Sequence, residues 1–150
     1  DQAAFETNYN NKWSAGQDLV HLIKVLKIVN IGFTLPKPLL HLMYGVNKNE
    51  TRSFQVLQTL YKNALEGGAK SPSIYIPKPV LFESKNHLIQ KHTTLNQLFI
   101  DKLNKHTATE LDRYRLPHPI LGKVTLSELA SFTSFHTLHH LELLKTKLFR

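Results

Sequence analysis

Three histidines fall within five positions near the C-terminus, in the run Phe135-His136-Thr137-Leu138-His139-His140, in a chain that carries nine histidines among 150 residues. Imidazole ligates first-row metals and moves protons near neutral pH. On an α-helix, His136 and His140 stand one turn apart on the same face. At about 100° per residue, Leu129, Phe132 and Leu143 all lie within roughly 40° of His136. The pair therefore sits inside an apolar stripe and faces the core, with His139 on its flank. Two buried imidazoles side by side need partners for every donor and acceptor, and two imidazolium charges there would repel. Either a shared divalent metal takes both lone pairs, at the i,i+4 spacing of helical zinc motifs, or the rings satisfy polar groups inside the core.

A metal site open to chemistry takes three side chains and leaves a position for water or substrate. His21 is the strongest third candidate: Leu19, Val20, Leu22 and Ile23 flank it, and Val25 and Ile28 share its face. His92, on another apolar stripe, is a reserve ligand. Asp18 lies three residues before His21 on nearly the same face. It would either hydrogen-bond the distal nitrogen of His21 or stand exposed at the start of the helix. His41, His87, His106 and His118 read as surface or loop residues. The chain has no cysteine, which excludes disulfides, thiolate ligands and a cysteine nucleophile. The expected cofactor is a divalent metal, Zn or Ni first and Fe or Mn next.

The elements that must hold these residues are helices. Ser14 and Gln17 form a capping-box pattern that opens a helix running to about residue 30, closed by Gly32 and then by Pro36 and Pro38. Residues 39–46 read as a short helix or an irregular connection. A helix is expected over 51–65, with Thr51 as its cap and Gly67-Gly68 as its stop. Residues 69–79 hold three prolines and read as an extended surface crossover, in which 73–76 pair at most briefly as a strand. A further helix is expected over 83–106, where Leu88, His92, Leu95, Phe99 and Leu103 keep helical spacing. Residues 107–124 read as a connection with a defined turn at Pro117-His118-Pro119. The last helix, about 125–149, opens with a Thr125–Glu128 capping box and a Val124–Leu129 staple. Residues 1–12 are polar and read as a tail or incoming loop. Long helices joined by unequal connections imply an all-α bundle with a long crossover, as one domain over 1–150.

The composition is that of an ordinary globular chain, 41% hydrophobic and 20% charged. No run reaches the ~18–20 apolar residues of a membrane helix, and no secretory signal pattern opens the chain, so no membrane and a cytoplasmic location are expected. The net charge of +8 comes from scattered lysines that do not interleave with aromatics, which argues against a specific nucleic-acid partner.

Three segments carry a family resemblance. Lys12-Trp13-Ser14-Ala15-Gly16-Gln17-Asp18-Leu19-Val20-His21-Leu22 resembles the Trp-Ser cap and ligand-histidine helix of the DinB/YfiT-like superfamily. The segment from His118-Pro119 through Gly122 to Thr125-Leu126 resembles that family's lead-in to its last helix. His136-Thr137-Leu138-His139-His140 resembles its His-x-x-His-His element. The match is closest to the branch called DinB_2, and the segments stand in family order over residues 12–144. The resemblance implies that His21, His136 and His140 form a metal triad and that His139 is not a ligand. It implies an up-down-down-up four-helix bundle whose long connection maps onto residues 31–82. The family's long first helix has no counterpart in the twelve residues before Trp13. That helix is expected upstream, or else residues 51–65 or a partner chain complete the bundle.

The resemblance also implies chemistry. Members of this superfamily include thiol-dependent S-transferases, a maleylpyruvate isomerase and proposed metal-dependent hydrolases. The ion would hold a low-molecular-weight thiol as thiolate in the first kind and activate water in the last. No glutamate stands next to the histidine pair as in His-Glu-x-x-His hydrolases, which favours thiol transfer over hydrolysis. Tyr44, Tyr75 and Tyr114 are candidates to line a pocket for a small-molecule substrate. The alternative is a non-catalytic stress-response or binding module whose histidine cluster is structural or vestigial. A homodimer is among the arrangements that a helical bundle allows.

Overall fold

The computed structural model describes residues 1–8 and 12–148. Seven α-helices and one β-hairpin follow one another in the order α1 (Gln2–Glu6), α2 (Ala15–Gly32), α3 (Lys37–Tyr44), α4 (Phe54–Glu66), α5 (Lys85–Leu103), α6 (Ala108–Arg113), β1 (Arg115–His118), β2 (Gly122–Thr125) and α7 (Leu126–Leu148). Single 3₁₀ turns at Ser73–Tyr75 and Phe82–Ser84 punctuate the crossover between α4 and α5.

The two helices that carry the histidines are capped as the sequence reads. Ser14 Oγ accepts from Gln17 N at 3.2 Å while Ser14 N donates to Gln17 Oε1 at 3.0 Å. At the start of α7, Thr125 N donates to Glu128 Oε2 at 2.9 Å and Glu128 N to Thr125 Oγ1 at 3.0 Å. Glu128 does more than cap. Its buried carboxylate also accepts from the backbone N and Nε of Arg52, each at 2.8 Å, and from an Arg52 terminal nitrogen at 2.8 Å. One carboxylate thus satisfies the first turn of α7 and anchors the segment that leads into α4.

The main core forms where α2, α3, α5, the hairpin and α7 meet. Leu26, Val29 and Phe33 of α2 pack with Leu40, Phe99, Leu116, Val124, Leu126 and Leu129. Each such side chain stabilises the fold by roughly 1.5–3 kcal/mol when fully removed from water. A second cluster, Tyr61 of α4 with Phe132 and Phe135 of α7, lies further along α7. The long crossover expected over 31–82 contains α3 and α4, and α4 packs against α7.

The structure corrects the sequence reading in several places. An all-α chain is expected, yet the connection 107–124 holds α6 and an antiparallel hairpin with Leu116 opposite Val124 and His118 opposite Gly122. Strand Pro117 is tolerated because a two-stranded sheet consists of edges, and Gly122 takes the positive φ of +71° that the turn requires. Within 73–76, Ser73–Tyr75 make a 3₁₀ turn instead of a strand. Ser53, not Thr51, caps α4; of the two alternatives for residues 39–46 the short helix forms, over Lys37–Tyr44. The N-terminal segment, read as tail or loop, contains α1, whose Phe5 is buried; part of that segment, residues 9–11, lies outside the described residues, as does residue 149 at the expected end of the last helix. Among the described residues no single helix is long and apolar enough to cross a membrane, and α2 and α3 pass that test only together, across a 103° bend.

α1 docks through Gly16. An added Cβ there would stand 2.8 Å from the Phe5 ring and 2.8 Å from the Phe5 carbonyl oxygen. Helix propensity alone favours alanine over glycine by up to ~1 kcal/mol. Gly16→Ala is nonetheless expected to lower stability, by about 1–2 kcal/mol, in urea titration. A variant more stable than the parent would show that α1 does not seat on α2.

Candidate metal centre

α2 contributes His21 and Asp18, and α7 contributes His136 and His140. All four are buried, with 4%, 5%, 4% and 8% of their surfaces exposed in that order. One ring nitrogen from each histidine lies within 4.8 Å of those of the other two. His21 Nε2 is 3.3 Å from His136 Nε2. Zinc–imidazole bonds of about 2.0–2.1 Å at tetrahedral angles put neighbouring ligand nitrogens roughly 3.3–3.4 Å apart. The spacing of the closest pair is thus that of two ligands sharing one ion, and three buried histidines here could hold a metal.

The partners of the distal nitrogens decide which lone pairs face inward. His21 Nδ1 is 3.1 Å from the carbonyl oxygen of Tyr75. A carbonyl only accepts, so Nδ1 carries the proton and Nε2 of the neutral ring presents its lone pair to His136. His140 Nδ1 is 3.0 Å from Asp18 Oδ1, and a carboxylate selects the same tautomer. Carboxylate–histidine and carbonyl–histidine pairs of this kind orient metal-ligating rings and raise their basicity. The crossover that supplies the Tyr75 carbonyl is held down by Lys24, whose Nζ donates to the carbonyls of Ile74 at 3.2 Å and Ile76 at 2.7 Å.

Aromatic rings pack around the cluster. Trp13 lies 4.9 Å from the His21 ring and stacks at 6.4 Å on His140. Phe132 stacks on His136 at 5.3 Å. Burial keeps the His21 and His136 rings neutral. The His21 pKa is pushed down to about 4, mainly by burial and against the pull of the Tyr75 hydrogen bond. Burial, followed by the neighbouring His140 and His21, pushes that of His136 down to about 2. Neutral imidazole is the form that binds metal.

The histidines open onto a cavity of about 540 Å³, walled largely by apolar side chains of α2, α7 and the hairpin. Of the tyrosines expected to line a pocket, Tyr44 and Tyr75 do, whereas Tyr114 packs against the main core. Tyr61, not singled out from the sequence, also lines it.

The structure brings together His21, His136 and His140, the three residues read from the sequence. His139 lies beside them, half-buried against Tyr61, and stays out of the cluster. The reserve ligand His92 is not brought in: it sits half-buried on α5, with a buried Nε2 that has no hydrogen-bond partner. Asp18 is buried rather than exposed, and the α2 backbone aims it across at α7, where it pairs with His140. His118, read as a surface or loop residue, lines the cavity wall. Its half-buried place follows from the hairpin, for which the sequence pattern carries no period-2 signal.

A mostly helical chain with three convergent and buried imidazoles defines a candidate metal-binding protein. The sequence model of the DinB_2 family, described as DinB superfamily, matches residues 1–144, and the chain belongs to that superfamily. No curated protein and no solved structure gave a match.

Two expectations follow from this geometry. Unfolded histidine protonates near pH 6.5, while His21 stays neutral in the fold down to about pH 4, so the unfolded chain binds more protons inside that window. Metal-free protein is therefore expected to be most stable above pH 6.5 and to lose Tm steadily as pH falls from 6.5 towards 4. A Tm that is flat across this window would mean that the rings are not buried neutral. Asp18→Asn leaves an amide that no longer fixes His140 by charge. It is expected to weaken Zn affinity about 10–100-fold in a competition titration, with the fold retained by circular dichroism.

Proposed function

We propose that the chain is a divalent-metal-dependent enzyme in which His21, His136 and His140 hold the ion, with Zn or Ni the first choices. The observation that carries this reading is the set of three convergent ring nitrogens at the wall of a cavity of about 540 Å³. A purely structural site has no need of such a cavity, whereas a site with three protein ligands keeps a position for a small molecule. The ion supplies Lewis acidity, which lowers the pKa of a thiol or water that it binds.

The chain's own residues favour thiol-dependent transfer over hydrolysis. Asp18 is the only acidic side chain lining the cavity among the described residues, and its carboxylate is engaged by His140. Glu128, the buried acid on α7, is taken by Arg52 and the Thr125 cap. A hydrolase of this type needs a carboxylate within reach of the attacking water, and both acids are committed elsewhere. A thiol arrives with its own nucleophile and requires only that its proton be lost. The apolar walls suit a substrate with an apolar body, and Trp13 and Phe132 pack against the rings. In this reading the long helices form the DinB-type four-helix bundle as one domain, and a low-molecular-weight thiol is the co-substrate.

Elemental analysis tests the assignment. The wild-type chain, reconstituted with Zn or Ni, is expected to hold one equivalent, and His136→Ala and His21→Ala to hold about a tenth of that or less under the same dialysis. A wild-type chain that retains no metal would overturn the metalloenzyme reading and leave the histidines a role in the core.

A further inference from the structure

The loop between β1 and β2 closes on His118. Ile120 N and Leu121 N donate to His118 Nδ1 at 3.2 and 3.0 Å. An imidazole nitrogen that accepts from two backbone N–H groups carries no proton. The proton of the neutral ring is therefore on Nε2. No acceptor among the described residues takes that Nε2–H, and the side chain lines the same cavity as the three clustered histidines. Phe132 ties the two features together: its ring is 4.3 Å from that of His118 and 5.3 Å from that of His136.

The ring is held neutral as well as oriented. Burial pushes the His118 pKa down to about 4, and the charge of nearby Arg52 adds to this. At neutral pH the residue is not a base, because its basic nitrogen is turned into the hairpin loop. It is not a cation either. What remains is one fixed N–H beside a cavity with largely apolar walls, where a preorganised donor acts most strongly on an oxygen that gains negative charge.

We propose that His118 donates its Nε2–H to a carbonyl or carboxylate oxygen of the substrate that occupies the cavity, and so sets which oxygen-bearing group lies next to the metal centre. This role rests on the metal-site reading above. It selects substrates that present an oxygen acceptor together with an apolar body, because an apolar group in the same place would cover the N–H without pairing it.

Two measurements test it. In metal-free protein, the ¹⁵N shifts of the His118 ring are expected to report the Nε2–H tautomer across pH 6–8, and an Nδ1–H tautomer would overturn the proposal whatever the state of the metal site. In protein loaded with Co(II), acetohydroxamate is the probe, followed by the visible spectrum of the ion. His118→Asn keeps a side-chain oxygen where Nδ1 accepts the two loop N–H groups but removes the donor at Nε2. It is expected to bind one equivalent of Co(II) and to weaken acetohydroxamate about tenfold, whereas His118→Gln, whose amide reaches further, restores part of the loss. A Co(II)-loaded His118→Asn chain with wild-type affinity for the probe overturns this role alone. A wild-type chain that binds no Co(II) overturns the metal-site reading and this role with it.

Discussion

Three imidazoles cannot be buried together unless each ring's two nitrogens are accounted for, and much of this structure is arranged around that constraint. A neutral imidazole has one donor and one acceptor on opposite sides of the ring. If the acceptors converge, the donors must point outward and find partners in the surrounding protein. Two partners are in place: the Tyr75 carbonyl for His21 and the Asp18 carboxylate for His140. Because His21 and Asp18 lie on α2 while His136 and His140 lie on α7, the cluster exists only when those helices pack in one register. The capping boxes at Ser14 and Thr125 fix where each helix begins and therefore which residues face each other. Glu128 then couples the α7 cap to Arg52, so the segment entering α4 is tied to the same starting point.

The long connection between α2 and α5 does more than link helices. α4 lays Tyr61 against Phe132, Phe135 and His136, which walls one side of the cavity. The stretch after α4 brings its backbone over His21, pinned by Lys24. The hairpin before α7 seals the region from another direction: Leu116 packs so close to Gly32 that an added Cβ there would stand 2.7 Å from its Cδ1. The connections thus complete a cavity whose other walls are α2 and α7.

The sequence made the triad legible because helices impose a simple period. His136 and His140 at i,i+4 and His21 on an apolar face require only that two helices form. The helix starts were legible for the same local reason, since a capping box spans four residues. What escaped were features set by long-range packing. Asp18 and His140 are 122 positions apart, and nothing local distinguishes an acid that reaches another helix from one that faces solvent. The hairpin strands are four residues each, and the first contains a proline; they are too short to declare an alternating pattern, so the sequence alone reads His118 as a surface or loop residue. Phe5 gives too little signal within a polar segment to announce a helix of five residues.

The two second-tier partners of the cluster differ in how they are written in the chain. Asp18 is specified by its side chain, so a single codon can remove it. The acceptor for His21 is a peptide carbonyl, which every amino acid supplies at position 75. Substitution there changes the ring that borders the cavity and leaves the hydrogen bond to His21 in place. That bond answers instead to the path and length of the crossover. Relatives could therefore diverge freely in residue type along this stretch while inheriting the same orienting contact, whereas the insertion of one residue would move the carbonyl and release the His21 ring to flip. Half of the support beneath this centre is recorded as spacing and not as letters, and it is invisible to any comparison that scores residues position by position.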